Sequence, residues 1–222
     1  KATEMQKVKE ELDVGVTLDE KLSFTSHMNT KVNKANRVMG VIHRTYVYLD
    51  ESNLKKLYLA LVRTHLDYAS SVWHPYKMKD IEMVEKVQKR ATRMIASLKD
   101  MSYPDRLRRL KIPTLAYRRV RGDMIETYKI LHKKYDEDVA PKLILREGEV
   151  TRGNNLKLYK PTATKNVRKY SFTHRVVENW NSLPNHVVMA TSLGAFERRL
   201  DKFWDDQPIK YDDYKASIIP NR

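Results

Sequence analysis

The chain has 222 residues, a formal net charge of +15 and no cysteine. That length can bury a core in one large domain or two small ones. The absence of cysteine excludes disulfides, thiolate zinc sites and cysteine nucleophiles, and no apolar run reaches the roughly 18 residues a membrane span needs.

The charge points to polyanionic partners, nucleic acid first and an anionic surface second. It is uneven. Residues 76–134 carry 17 Lys+Arg against 7 Asp+Glu, residues 150–175 carry 7 basic residues and no acidic one, and residues 197–213 carry 4 basic and 6 acidic. A polyanion would meet the first two blocks and avoid the third. The first residues are polar and charged, without the apolar core of a signal peptide. The chain opens on Lys1 rather than methionine, and a piece of a longer or processed protein is expected.

Within residues 1–24, Val14, Val16 and Leu18 alternate with polar neighbours, the pattern of a short strand or hairpin arm. Asp19-Glu-Lys21 reads as the turn after it. Ser26 is a candidate cap for the next helix. There Met28, Val32, Ala35, Met39, Ile42 and Tyr46 recur at helical spacing and make the clearest apolar seam of the chain. A further helix starts at Asp50 or Ser52. Its stripe is Leu54, Leu57, Leu61, His65 and Tyr68, flanked by Tyr58 and Val62, and a semi-buried, satisfied His65 is favoured over a catalytic one.

Trp73-His-Pro-Tyr76 is a corner, because proline disfavours helical geometry in the residue before it. A basic helix follows from about Asp80. Ile81, Val84, Val87, Ala91, Met94, Ile95 and Leu98 make its apolar face, with Lys86, Lys89, Arg90 and Arg93 opposite. Glu82 and Glu85 stand four residues before Lys86 and Lys89, within pairing reach, whereas Arg90 and Arg93 have no such partner.

Pro104 opens a short helix at an early position. The next helix carries Tyr117, Val120, Met124, Tyr128 and Leu131, with Arg118, Arg119 and Lys129 off the stripe. Gly122, inside it, has two readings: a tolerated glycine or kink, or the close approach of another backbone. The span 25–134 is therefore expected to be one helical, bundle-like region. Residues 135–169 read as a basic loop and extended arm, and 170–205 as C-terminal helices with Ser192 as a cap. Residues 206–222 read as an acidic, mobile tail. The fold class is mainly α with a small β element at the N-terminus.

Several segments in this order resemble the C-terminal part of a non-LTR, LINE-type retrotransposon reverse transcriptase of the chicken-repeat/jockey kind. They are Gly15-Val-Thr-Leu-Asp-Glu-Lys-Leu-Ser-Phe24, Lys34-Ala-Asn-Arg37, Leu57-Tyr-Leu-Ala-Leu-Val-Arg63 and Leu66-Asp-Tyr68. Trp73-His-Pro75, Glu85-Lys-Val-Gln-Lys-Arg-Ala91, Arg118-Arg-Val-Arg-Gly-Asp123, Thr151-Arg-Gly153 and Arg175-Val-Val-Glu-Asn-Trp-Asn-Ser-Leu-Pro184 complete the series. Each is weak alone; their order is specific. The chain departs from the family at Asp13-Val14, where an aromatic residue and leucine usually stand. That departure predicts a poorly paired strand or a degenerate copy. The absence of cysteine also sets it apart from lineages with a zinc knuckle.

The resemblance implies the strand leaving the palm, the helical thumb and the post-thumb extension, in an intracellular protein of nucleus or cytoplasm. The implied partners are RNA, DNA or an RNA–DNA hybrid, and the missing palm and fingers. It implies nucleic-acid contact at Lys86, Lys89, Arg90 and Arg93, at Arg118, Arg119 and Arg121, and at Arg152, Lys157, Lys165, Arg168 and Lys169. Tyr117, Tyr159 and Tyr170 are candidates to stack on unpaired bases. The parent would be an RNA-directed DNA polymerase whose magnesium ions sit in the palm. No cofactor or metal is expected in this chain. Phe203-Trp-Asp-Asp206 echoes the family's acidic turn, but Phe203 completes a helical seam and Gln207-Pro208 follows where a strand should. Asp205 and Asp206 are therefore read as solvated charges. The alternative is a helical protein-interaction module with scattered basic residues and an exposed apolar patch.

Overall fold

The sequence asks where the hairpin turns and how each apolar seam finds a partner. The structure, a computed structural model, describes residues 7–46, 48–147 and 154–220. It is mainly helical with a two-stranded antiparallel sheet, and it divides into two compact units, Lys1–Lys99 and Asp100–Arg222. That division falls inside the helical span 25–134 expected from the sequence.

In the first unit β1 (Glu10–Asp13) pairs with β2 (Val16–Asp19), with Glu10 opposite Asp19 and Asp13 opposite Val16. The departure at Asp13-Val14 therefore does not unpair the strand. Its cost is local. Val14 and Gly15 both take positive φ, 41° and 76°, as a two-residue hairpin turn requires, and for a β-branched residue this is strained. Tyr68 donates its hydroxyl to the Val14 carbonyl at 2.8 Å and so fastens the turn.

Helix α1 (Thr25–Thr45) begins without the Ser26 cap; Ser26 donates to Glu10 instead. The chain enters through Phe24 in the left-handed region, and Asp19 holds that entry. Its carboxylate accepts from the amides of Lys21, Ser23 and Phe24 at 3.0, 3.1 and 2.7 Å, and from the Ser23 hydroxyl. Met28, Val32, Ala35, Met39 and Ile42 are buried as the seam predicts, while Tyr46 is exposed at the helix end.

After α2 (Glu51–Leu57) the chain runs through a π-helical stretch, Tyr58–Val62, into α3 (Arg63–Asp67). The buried stripe is Leu54, Tyr58, Val62 and Leu66; Leu61 and Tyr68 of the expected stripe are exposed. Steps of four drift around an α-helix but are held in line where the turn widens. The short α4 (Ser70–Trp73) ends at the expected corner. Trp73 is buried, donates to the Tyr68 carbonyl at 2.7 Å and lies 5.6 Å from the His27 ring.

Helix α5 (Met78–Thr92) packs on α1. Val84, Val87 and Ala91 are buried, and Ile95 and Leu98 complete that core beyond the helix end. Glu85 and Gln88 are buried too: Tyr58 donates to Gln88 Oε1 at 2.8 Å, and Gln88 Nε2 reaches Glu85 at 3.5 Å.

The second unit begins with α6 (Tyr103–Leu110), capped by Ser102, and α7 (Leu115–Leu131), capped by Thr114. Leu145 and Leu158 form an isolated antiparallel bridge. The helices α8 (Asn166–Lys169), α9 (Phe172–Ser182), α10 (Asn185–Val188), α11 (Leu193–Phe203) and α12 (Pro208–Tyr211) follow. Tyr128 stacks on Phe196 at 4.5 Å and donates to the Ala190 carbonyl, which ties α7 to α11 and to the segment before it. Ser192 caps α11 through the Ala195 amide.

The acidic tail packs rather than floats. Ile209 and Ile218 are buried, Thr114 donates to the Ile209 carbonyl at 2.5 Å, and the Gln207 amide exchanges two hydrogen bonds with the Ile219 backbone. Gly122 has nothing among the described residues within 4 Å of where a Cβ would stand, so no described part of the protein backbone makes a close approach there.

Candidate nucleic-acid interface

The exposed face of α5 carries Lys86, Arg90 and Arg93, as the helical spacing predicts. Lys79, two turns earlier, is exposed on the same stripe, and at roughly 100° per residue the four fall within about 60° of arc. The helix starts at Met78, two residues before the Asp80 expected from the sequence, and this brings Lys79 onto the stripe. None of these four has an ion-pair partner among the described residues. Lys89 is half-buried and engaged, so it does not belong to the stripe.

Arg90 connects the stripe to α1: its Nη1 donates to Asn36 Oδ1 at 3.0 Å. Asn36 lines a shallow groove of about 610 Å³ with Asn33, Arg37, Gly40, Val41 and Arg44. Arg44 lies across Gly40, its Nη1 3.4 Å from the point a Cβ would occupy. Further round α1 are Lys31 and Lys34, whose charges, after burial, hold the His65 imidazole below its ordinary pKa. His65 is half-buried. The α1 cations are a second component the sequence reading did not name. Their signal was the polar face opposite the Met28–Ile42 seam.

The second unit treats its cations differently. Arg119 is buried, at 3% exposure, and engaged by neighbours, so it cannot meet a polyanion as expected. Arg121 donates through Nε and Nη2 to both oxygens of Asp201 at 2.6 and 2.9 Å, and that pairing raises its pKa. Arg118 is half-buried and engaged. Arg175 donates to both oxygens of Asp123 at 2.8 Å, joining two of the family-like segments through a largely buried pair. Burial, more than the charge of Asp201, pushes the Tyr117 phenol well above its ordinary value; at 2% exposure it cannot receive a base.

Lys157 is half-buried and donates to the Asn181 carbonyl; burial and the charge of Arg146 lower its pKa. Asn181 also grips the Leu158 backbone on both sides, donating to its carbonyl and accepting from its amide, each at 2.8 Å. Trp180 donates to the Leu156 carbonyl. The extended arm is thus clamped along α9. Lys165, Arg168 and Lys169 are exposed at α8, with the Lys169 ammonium 5.5 Å from the Tyr170 ring centroid. Arg152 lies outside the described residues.

The expected contact residues therefore fall into two groups. Lys86, Arg90 and Arg93 stand on one surface of the first unit, and Lys165, Arg168 and Lys169 on one segment of the second. Among the described residues no group of three or more His, Asp or Glu could hold a metal ion. Asp205 pairs with Lys210, and Asp206 is exposed. No described helix is long and apolar enough to cross a membrane. Compared with protein-family models, with curated proteins and with solved structures, the chain matches none.

Proposed function

We propose that this chain is the nucleic-acid-gripping C-terminal part of a LINE-type reverse transcriptase, without the catalytic palm of its parent. The observation that carries the reading is the stripe of Lys79, Lys86, Arg90 and Arg93, linked through Asn36 to the Arg37–Arg44 groove. Unpaired cations in rows along two packed helices suit a phosphate backbone, whose charges they neutralise with release of counterions. Such contacts position a duplex without reading its sequence. The parent would polymerise DNA on RNA with magnesium held upstream; this chain contributes hold, not chemistry.

The test is fluorescence anisotropy with an RNA–DNA hybrid, duplex DNA and single-stranded RNA over a salt series. Affinity falls linearly on a log–log salt plot, and Arg90→Ala with Arg93→Ala lowers the slope by about one per lost phosphate contact. A folded chain that binds none of the three at low salt removes the reading. The weight then moves to a protein-docking module, which exposed Val8, Leu12 and Val14 on the hairpin favour.

A further inference from the structure

The bridge between Leu145 and Leu158 has a face that the duplex-gripping surface leaves unused. Two backbone hydrogen bonds flank it, from Arg146 to the Lys157 carbonyl at 2.8 Å and from Tyr159 to the Ile144 carbonyl at 2.7 Å. The register sets Ile144 opposite Tyr159 and Arg146 opposite Lys157. Leu158 turns inward and is 2% exposed, so Ile144, Arg146 and Tyr159 share the open face, and Lys157 stands at its edge, half-buried, with one ammonium hydrogen donated to the Asn181 carbonyl and the others left for a ligand. Ile144 and Tyr159 are each about half exposed. No carboxylate pairs with Arg146 or Lys157 among the described residues, and Glu178, on neighbouring α9, is taken by Lys160.

Two features of this face call for a ligand. Like charges directly opposite on a ladder destabilise it unless an anion lies between them. Arg146 does act on Lys157, whose ammonium is also half-buried. An exposed tyrosine beside an isoleucine, two strand residues or about 6.7 Å from the cationic row, offers a flat apolar surface within one nucleotide's reach of that row.

We propose that this ladder face binds single-stranded nucleic acid, with a phosphate between Arg146 and Lys157 and an unpaired base on Tyr159 against Ile144. A duplex cannot use it, because its bases are already stacked, whereas every unpaired base has a free face for an aromatic ring. The inference rests on the nucleic-acid reading above and narrows it to a second ligand form on a second unit.

The experiment uses the full chain, with labelled oligouridylate, oligothymidylate and an RNA–DNA hybrid of equal length. Tyr159→Ala weakens both single strands by roughly five- to a hundredfold, the range of base–aromatic stacking, while Tyr159→Phe binds as the parent does. Arg146→Gln weakens the single strands and flattens their salt dependence. Hybrid affinity is unchanged by all three.

Single-strand affinity unmoved by Tyr159→Ala overturns the proposal, and so does an equal loss on hybrid and single strand. In both cases a hybrid that still responds to Arg90→Ala leaves the duplex grip standing. Binding of none of the three overturns both. Tyr159 and Arg146 are exposed, and urea midpoints matching the parent's show that the variants fold.

Discussion

The two units carry comparable basic sequence, and the arginines of the basic stripe at α5 and those around α7 are used in opposite ways. In the first, Lys79, Lys86, Arg90 and Arg93 line up along α5 and its C-cap with no ion-pair partner among the described residues. In the second, Arg121 and Arg175 are held bidentately by Asp201 and Asp123. Arg119 is buried. A count of charges over residues 76–134 does not separate these cases, because both carboxylates that matter lie on other turns or other helices. A run of arginine marks a binding surface only where the fold supplies no acid. Where it does, the same residue type fastens helices together.

The sharpest way to break this comparison is to remove an acid from the second unit. Asp123→Ala leaves Arg175 largely buried without its counter-charge, and loss of one partner of such a pair costs about 3–5 kcal/mol. Urea unfolding followed by Trp fluorescence should show this destabilisation. A loss under about 1 kcal/mol would mean that Arg175 is solvated, and that the second unit's arginines are free after all.

Acidification probes the first unit. His27 is buried, and its Nδ1 accepts the Thr17 amide at 3.1 Å. Burial, helped by Lys31, lowers its pKa from 6.5 to about 4. The unfolded chain therefore gains a proton that the folded ring refuses as pH falls from 6.5 towards 4. Stability is intact above that window and drops through it, by at most about 3 kcal/mol. Asp19 adds a second loss lower down. Burial opposes its charge, but hydrogen bonds from Ser23, Phe24 and Lys21 outweigh burial and hold its pKa below 3.8. Its contribution is present above 3.8 and disappears as pH falls through the lowered value. Urea midpoints at pH 7.5, 5.5 and 4.5 check the histidine, and His27→Gln should flatten the slope between them.

Gly122→Ala is a smaller step on the arginine-bearing helix. Its Cβ would meet open space, so α7 should gain about 1 kcal/mol of helix propensity with Arg119 and Arg121 undisturbed. A raised melting temperature with unchanged nucleic-acid affinity is the expected result. Destabilisation would reveal a neighbour that requires the glycine.

Legibility in the sequence followed the physics of each residue. The seam of α1 could be read because Met28, Val32, Ala35, Met39 and Ile42 are apolar, regularly spaced and all buried. The stripe of Leu54, Tyr58, Val62 and Leu66 could not, because the π-helical turn changes the period that the reading assumes. Lys86, Arg90 and Arg93 were correctly set on a solvent face by periodicity alone. The spacing sets Glu85 within reach of Lys89 but is silent on its burial, which comes with Gln88 and, through Gln88, with Tyr58 of another segment. Arg121 meets Asp201 across 80 residues of chain, a distance at which periodicity is silent. Ile209 and the Ile218-Ile219 pair are too few and too widely separated to set a helical or strand period, so the packing of the tail had no local signature.

The finest test of the contrast is a substitution that should hardly move stability. Arg93 is exposed, without an ion-pair partner among the described residues, at the end of a row of like charges. Arg93 is the C-cap residue of α5 and bonds there through its backbone amide, which a substitution to alanine keeps; an exposed side chain with no network or cavity contact contributes within about 0.5 kcal/mol. Removing one cation from a repelling row also relieves some unfavourable Coulomb energy. Arg93→Ala should therefore be neutral or slightly stabilising at low salt, and any gain should vanish as salt screens the row. The same substitution weakens polyanion binding if the row is the grip. A loss above about 1 kcal/mol, independent of salt, would instead make Arg93 a fastener like Arg175, and the first unit would lose its distinction from the second.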